Sequence, residues 1–227
     1  MKILGIDTTS KFLCLALYDN GKAYTCDLEL GRRHSALLVP IIKSSIDALG
    51  WDIGDIDYFA CGTGPGSFTG VRIGLAVIKG LAFGSKKPVI GIPSLDIMAL
   101  NAAFIKTDKT IIPVIDAKRN LIYCGFYKIK DGSLRKIKPY MLLSPEDLLK
   151  KIKPQDVLFG DALIAHSEIL TKRGKTANFL DKDHWSLQAR NIIPLALERI
   201  RKKSFGDTFS VKPVYLYPKE CQIKQKN

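Results

Sequence analysis

Histidine is scarce in this sequence. Only His34, His166 and His184 occur, and no two of them are four residues apart, the spacing at which a helix presents two metal ligands on one face. The five cysteines are odd in number and form no Cys-x-x-Cys pair, and several lie in apolar, strand-like runs. We therefore expect no metal site, no disulfide framework, and reduced, buried thiols in a cytoplasmic protein.

Long apolar runs are also missing. No run reaches the ~20 residues that a membrane-spanning helix needs. The first residues, MKILGIDTTSKF, lack the apolar core and cleavage site of a signal peptide. With 46% hydrophobic and 25% charged residues, the composition is typical of a globular protein, and we expect no membrane partner.

Acidic residues are sparse in the second half of the chain. Residues 1–100 hold 10 Lys/Arg and 9 Asp/Glu, whereas residues 101–227 hold 25 and 13, which accounts for nearly all of the net charge of +13. Two interpretations stay open, namely attraction to a polyanion such as RNA, or lysines scattered over solvated faces. The dense clusters give the candidate RNA contacts Lys172, Arg173, Arg199, Arg201, Lys202 and Lys203.

Familiar phosphate-binding and catalytic motifs are absent from the glycine-rich residues 61–84. Val71-Arg72 stand where a P-loop has Lys-Ser/Thr, and the Gly-x-Gly pattern follows the fourth predicted strand and is interrupted by Pro65. Ser67 comes too early for a nucleophile elbow. No Ser/His/Asp or Cys/His arrangement can be named, so the sequence predicts no catalytic residues.

The order of predicted elements indicates a duplication. Residues 1–105 read β-β-β-α-β-α-β-α, with a hairpin turn at Asn20-Gly21 and Ser94 as the expected cap of the third helix. A second round begins near residue 110, because GIDTTSKFLCLAL and VIDAKRNLIYCGF repeat one strand-and-hairpin pattern. We predict a first lobe over residues 1–105 and a second, smaller and basic lobe over 106–227, whose terminal helix packs back on the first.

Two predicted helices of the first lobe, near residues 34–49 and 70–84, are apolar on every side. A helix of this kind is buried on more than one side, and Ala76, Gly80 and Gly84 add a stripe of small residues that permits close helix approach. Either a partner covers the outer side, or both helices are enclosed within the monomer. The first interpretation gives a predicted interface of His34, Leu37, Leu38, Ile41, Arg72, Ile73, Gly74, Val77, Gly80 and Leu81.

Five segments resemble the bacterial TsaB (YeaZ) family: IDTTS, GRRHSALLVPII, GTGPGSFTGVRIG, VIDAKRN and PVYLYP. The resemblance runs along nearly the whole chain. It implies an α/β, actin-like (sugar kinase/chaperone/actin) fold of two related lobes, with a mixed five-stranded sheet in the first and a reduced second lobe. It also implies a non-catalytic subunit that pairs with the catalytic subunit TsaD or with a second copy of itself. With the ATPase TsaE, such proteins help transfer threonylcarbamoyl to N6 of adenosine 37 in ANN-decoding tRNAs.

The resemblance also locates the nucleotide loops of the actin-like fold. The matching residues are Asp7, Thr8 and Thr9 in the first lobe and Asp116 in the second. Active members of the fold have glycine-rich turns there, and this chain has none, so we expect vestigial loops and no intrinsic cofactor, with ATP and metal held by the partner subunits. A stand-alone actin-like ATPase or kinase and an RNA-binding module remain the alternatives.

Overall fold

The computed structural model describes residues 1–105, 108–130, 133–172 and 177–217. The first lobe comprises β1 (Lys2–Asp7), β2 (Phe12–Asp19), β3 (Lys22–Glu29), α1 (His34–Ala48), β4 (Tyr58–Gly62), α2 (Phe68–Ser85), β5 (Val89–Ile92) and α3 (Ser94–Ala99). The rest comprises β6 (Ile111–Lys118), β7 (Leu121–Lys130), β8 (Ser133–Leu143), α4 (Pro145–Leu149), β9 (Val157–Phe159), α5 (Ala162–Ala165), α6 (Ser167–Lys172), β10 (Asn178–Phe179) and α7 (Ile192–Arg201).

Each lobe is built on a mixed five-stranded sheet. The strand orders are β3-β2-β1-β4-β5 and β10-β9-β6-β7-β8. In both sheets a three-stranded antiparallel meander is followed by parallel strands. This repeated topology confirms the predicted actin-like fold. The second lobe keeps all five strands, and its reduction lies in the three-residue β9, the two-residue β10 and three helices of four to six residues.

The hydrophobic residues form three layers between these elements. One core lies between the outer face of the first sheet and helices α1 and α2. A second lies between the inner faces of both sheets and includes α3 and α7, and a third lies under α4, α5 and α6. The terminal helix packs on the first sheet, since a Cβ at Gly5 would lie 2.5 Å from Cγ2 of Ile192.

A network around Asp96 of α3 joins the lobes. The hydroxyls of Tyr127 and Tyr140, both on the second sheet, donate to the same carboxylate oxygen of Asp96 at 2.8 Å. Arg199 of α7 approaches the other oxygen at 3.6 Å. Burial raises the pKa of Tyr127, and the nearby Asp96 charge adds to the rise, so the tyrosine stays a hydrogen-bond donor. These contacts connect α3 and α7, which pack on the first sheet, to the second sheet.

Helix α2 has the length and composition of a membrane span. It has 18 residues with a mean hydropathy of 1.3. Its face formed by Val71, Leu75 and Ile78 is buried against the first sheet. Core helices of soluble proteins commonly meet the same test, so this one helix is weak evidence for a membrane.

Candidate functional site

The carboxylate of Asp7, at the end of β1, lies fully inside the first lobe. The amide of Thr9 donates to its Oδ1 at 2.7 Å, and the hydroxyl of Ser94 donates to its Oδ2 at 2.7 Å. Burial raises the pKa of Asp7, and these hydrogen bonds work against the rise. Asp7 therefore has its acceptor atoms occupied by the protein and no exposed surface to offer a metal ion.

Ser94 was predicted to cap α3, and that prediction is wrong. The N-cap position is Pro93, and Ser94 is the first residue of the helix. Its hydroxyl instead lies at the centre of a buried cluster, where it bonds Asp7 and is 3.0 Å from Oγ1 of Thr9 and 3.2 Å from the amide of Gly64. A serine in this position ties the end of β1 to the glycine-rich loop.

The glycine-rich loop packs directly on the Asp7–Thr9 turn. A Cβ at Gly70 would lie 2.0 Å from the carbonyl oxygen of Thr8, and one at Gly74 would lie 2.4 Å from the Thr8 hydroxyl oxygen. That hydroxyl donates to the carbonyl of Gly70 at 2.7 Å. Ser67 caps α2 by accepting from the amide of Gly70. These glycines therefore allow α2 to begin against the turn in which an actin-like ATPase would hold phosphate.

The second-lobe loop residue, Asp116, borders a cleft between the lobes. Its carboxylate accepts from the backbone amide of Lys118 at 2.8 Å and pairs with the Lys118 ammonium. Burial acts to raise the pKa of Asp116, but the bonds and charge of Lys118 outweigh it and lower that pKa. Nε2 of His166 lies 3.8 Å from Asp116. Burial raises the pKa of the neighbouring Asp161 to about 6.

The cleft itself has a volume of about 720 Å³ and is lined by both lobes. Basic residues on its walls are Lys11, Arg32, Lys118 and Arg119, and aromatic residues include Phe68, Tyr123 and Tyr217. In the described ranges no group of three or more histidine, cysteine or acidic side chains is arranged to hold a metal ion. On the first lobe's side of the cleft, the Asp7–Thr9 turn is filled by its own hydrogen bonds.

The ten predicted interface residues divide between two sides of α1 and α2. His34, Leu38 and Gly74 point inward: the two side chains are only 4% and 1% exposed, and Gly74 contacts Thr8. Nδ1 of His34 lies 2.8 Å from the carbonyl oxygen of Gly31, which stabilises the start of α1. These three residues cannot contact a partner while this fold is kept, and their inclusion in the interface was wrong.

The other seven lie on the outer side of the helix pair. Five are half-buried (Leu37, Ile41, Ile73, Val77 and Leu81), and Arg72 and Gly80 are exposed. Val39 and Ala76 are exposed beside them, and an added Cβ at Gly80 or Gly84 would meet nothing within 4 Å. We call this surface the α1–α2 face. It is largely apolar, and its five half-buried residues also pack on the core beneath. Within the described part of the chain its exposed positions are open enough for another helix to approach closely.

Aromatic residues that the sequence analysis missed border the α1–α2 face. Phe83 is 66% and Phe209 75% exposed, and their rings lie 6.4 Å apart. The guanidinium of Arg72 stacks on Phe68 at 3.7 Å, and its Nε donates to the hydroxyl of Tyr215. Phe209 and Tyr215 belong to the segment after α7, which the family motif PVYLYP partly marks. The motif PVYLYP was thus the one sequence signal for these aromatic residues, but only the fold shows that this segment lies beside α2.

The predicted RNA contacts are only partly available. Arg199 pairs with Asp96 and Lys202 with Glu198, while Arg201 and Lys203 are exposed. Lys172 is the last residue of α6, and Arg173 lies outside the described residues.

Comparisons with known proteins give the family. A family model described as "TsaD: tRNA N6-adenosine threonylcarbamoyltransferase" matches residues 29–181. The "tRNA threonylcarbamoyladenosine biosynthesis protein TsaB" of Bacillus subtilis is 30% identical, over 99% of this chain and 97% of the relative. The chain belongs to the TsaB family. The TsaB protein of Escherichia coli is 28% identical to this chain, over 95% of this chain and 94% of the relative. This family member therefore takes part in tRNA threonylcarbamoyladenosine biosynthesis.

Structural similarity supports the same family. The structure "YeaZ from Pseudomonas aeruginosa" matches with a TM-score of 0.83 and 27% identity, over 95% of this chain and 99% of that one. A tRNA N6-adenosine threonylcarbamoyltransferase from Solidesulfovibrio magneticus is 32% identical, but over only 42% of this chain and 30% of the relative. This TsaB-family protein is thus similar over its full length to TsaB relatives, and over part of its length to the transferase.

Proposed function

We propose that this protein is a non-catalytic subunit that binds TsaD and activates threonylcarbamoyl transfer to N6 of adenosine 37 in ANN-decoding tRNAs. The observation that carries the proposal is the uncovered α1–α2 face. Apolar surface buried on association stabilises a complex by roughly 25 cal/mol per Å² before association costs. Contiguous exposed apolar surface of this kind commonly marks a protein interface.

The hydrogen bonds that occupy the polar groups of the Asp7–Thr9 turn support a subunit that does not itself bind nucleotide or catalyse a reaction. The Asp7 carboxylate is occupied by Thr9 and Ser94, and the Thr8 hydroxyl is occupied by Gly70. Opening this turn for a nucleotide would separate α2 from β1. In the proposal ATP and metal are therefore supplied by TsaD and TsaE, and this cytoplasmic subunit holds TsaD in its active arrangement.

Self-association belongs to the same proposal. In the absence of TsaD, two copies can cover each other's α1–α2 face, because a two-fold contact places the same patch on both subunits. TsaD then displaces the second copy. The homodimer and the TsaD complex are mutually exclusive in this scheme, so adding TsaD should shift the protein from dimer to heterodimer in sedimentation experiments.

The test is association with the organism's own TsaD, measured by calorimetry, together with reconstituted transfer to tRNA. Ala76→Glu keeps a helix-favouring residue at an exposed position but places a long, charged side chain where the complex would bury a methyl group. Arg72, four residues earlier, offsets only part of the desolvation cost of that carboxylate. The substitution should abolish association and stimulation without changing monomer unfolding. Thr25→Glu, on exposed β3 of the same lobe, is the matched control and should bind normally. Unchanged binding by Ala76→Glu would contradict the proposed surface.

The rival function, a stand-alone ATPase, is decided by titrating ATP and Mg²⁺ into the purified chain. The subunit proposal expects no saturable binding at micromolar concentrations. Tight binding that disappears in Asp7→Ala, with the fold intact by circular dichroism, would favour the rival.

A further inference from the structure

The hairpin of β7 and β8 extends beyond the rest of the second sheet. The last β7 residue that pairs with β6 is Tyr127, opposite Ile111. Beyond it, Lys128 to Lys130 pair only with β8, which is itself the edge of the sheet. The end of the hairpin is therefore a two-stranded ribbon. Ile129 and Leu134 on one of its faces pack against the core between the sheets, and the other face is exposed.

Four cations project from one side of this hairpin, three of them on the ribbon and the fourth, Lys138, just before it. Lys128 is directly opposite Arg135, and Phe126 is directly opposite Lys138. Directly opposed residues share a face, and so do alternate residues of one strand. Lys130 therefore lies on the same face as Phe126 and Lys128. All four cations are exposed, and we call this set, Lys128, Lys130, Arg135 and Lys138, the basic face.

The basic face lacks compensating acids. Within residues 121–143 the only acidic residue is Asp131, which lies outside the described residues. None of the four cations forms an ion pair with another residue in the described part of the chain. Like charges directly opposite each other destabilise a strand pair, so the Lys128–Arg135 pair lowers the stability of the isolated protein.

Neighbouring contacts hold and extend the basic face. The ammonium of Lys138 lies 4.6 Å from the ring centre of Phe126, a cation–π contact that limits its motion. Burial raises the pKa of the Cys124 thiol to about 12, and the charges of Lys151 and Lys138 oppose that rise. Lys151, after α4, is exposed and therefore continues the positive surface towards the short helices.

Protection of the sheet edge explains this arrangement only in part. Lysine and proline on an edge strand prevent pairing with other chains, which accounts for Lys138 and Pro139 of β8. Beyond Tyr127, β7 is an unpaired edge as well, so edge protection also covers Lys128 and Lys130. It does not account for an uncompensated cation, Arg135, directly opposite Lys128. A single acidic residue would protect the edge equally well and remove the repulsion.

We propose that the basic face binds the sugar–phosphate backbone of RNA, as the surface through which this subunit contacts the tRNA being modified. The inference deepens the proposed function, since the family's substrate is a polyanion, and it names a surface different from the α1–α2 face. Phosphates would relieve the repulsion between Lys128 and Arg135. We expect contacts to the phosphates, because three of the four cations are lysines, whose compact ammonium groups act as point charges.

The test compares variants of the full chain, alone and with TsaD, in tRNA binding over a range of salt concentrations. Lys128→Glu/Arg135→Glu should lower tRNA affinity at least about tenfold and reduce the magnitude of the salt slope by about two, roughly one for each phosphate that is no longer neutralised. Lys22→Glu/Lys182→Glu makes the same change in net charge at exposed sites elsewhere. This control should change affinity less than about twofold by the same reasoning.

A single variant separates binding from structure. Lys128→Glu converts a like-charge pair into an ion pair with Arg135, so it should raise the midpoint of thermal unfolding while lowering tRNA affinity. A neutral pair, Lys128→Gln/Arg135→Gln, should give an intermediate affinity and covers the case in which the double charge reversal fails to fold.

Three results would overturn the inference. If the control loses as much tRNA affinity as the variants at Lys128 and Arg135, the effect is one of general charge. If folded variants at Lys128 and Arg135 bind tRNA as the unchanged protein does, the basic face does not bind RNA. If these variants keep their tRNA affinity but bind vesicles of phosphatidylcholine and phosphatidylserine more weakly than the unchanged protein, the basic face binds a lipid surface. Because the chain is also assayed without TsaD, failure to associate with TsaD would overturn the proposed function and not this inference.

Discussion

The two lobes share one topology but differ in what covers the outer face of each sheet. The first sheet carries α1 and α2, of 15 and 18 residues, which together form the α1–α2 face. The rest of the outer side of α1 is polar and holds the exposed Lys43–Asp47 ion pair. The second carries helices of only four to six residues, and beyond them the sheet ends in the basic face. Long helices can bury one side and still offer a second to a protein partner. Short helices leave part of the strands exposed to solvent, and charged side chains are favoured at such exposed positions.

The largest effect is expected where the inner and outer sides of the helix pair α1 and α2 are compared. Leu38 is 1% exposed in the core under the helices. Leu38→Glu places an unpaired carboxylate in that core and should cost several kcal/mol, enough to unfold a marginally stable domain. Urea unfolding compared with Ala76→Glu checks this: a folded, binding-deficient Leu38→Glu protein would show that the assignment of inner and outer sides is wrong.

In the second lobe, Asp161 makes stability depend on pH. Burial raises its pKa from 3.8 to about 6, so the native state holds a proton that the unfolded chain has lost between these values. Stability should therefore fall as pH rises from about 4 to about 6, by roughly 2–3 kcal/mol for this group. Asp161→Asn keeps an acceptor for the amide of Asp116 and should flatten that part of the profile. A parallel profile in the variant would contradict this assignment.

Two glycines of α2 allow its inner and outer sides to be compared: Gly74 faces the core and Gly80 faces solvent. Gly74→Ala drives a Cβ to within 2.4 Å of the Thr8 hydroxyl and should destabilise the monomer by about 1–3 kcal/mol. Gly80→Ala meets nothing and should stabilise the isolated helix by about 0.5–1 kcal/mol. If a partner helix approaches Gly80 closely, the second variant is more stable yet binds TsaD more weakly. Thermal unfolding and calorimetry on both proteins test this pair, and equal effects would contradict it.

The smallest effect is expected at Asp7. Since burial raises its pKa, the ionised carboxylate lowers stability above the pH at which it titrates in the unfolded chain. Asp7→Asn keeps the acceptor for the Thr9 amide and can donate to the Ser94 hydroxyl, so folding should be unchanged or slightly stabilised. Stimulation of tRNA modification by TsaD should also be unchanged. A folded variant that loses stimulation would show that Asp7 acts in the chemistry.

Much of the fold could be predicted from the sequence because its signals are local. Asn20-Gly21 has the dihedral angles of a tight hairpin, with both residues at positive φ, and the apolar runs of β1, β2 and β4 are buried strands. The bounds of α1 and α2 are close to the expected ones. What periodicity could not decide is which side of an all-apolar helix faces the sheet, so Leu38 and Gly74 were placed with the outer residues.

The sites depend on contacts between distant segments, and these were harder to predict. Ser94 looks like a helix cap in isolation, and only the fold brings it to Asp7, 87 positions away. The RNA prediction relied on runs of adjacent basic residues, whereas Lys128 and Arg135 become neighbours only through the strand register. Arg199 lies in such a run but is turned towards Asp96.

The most direct measurement is hydroxyl-radical footprinting of the purified chain with and without TsaD. Val39 and Phe83 report on the α1–α2 face, and Ile137, exposed on β8, reports on the second lobe. With the free chain diluted until sedimentation shows it to be monomeric, the account predicts that TsaD lowers the reactivity of Val39 and Phe83 severalfold and leaves Ile137 unchanged. A TsaD complex that protects Ile137 and leaves both first-lobe side chains reactive would contradict it.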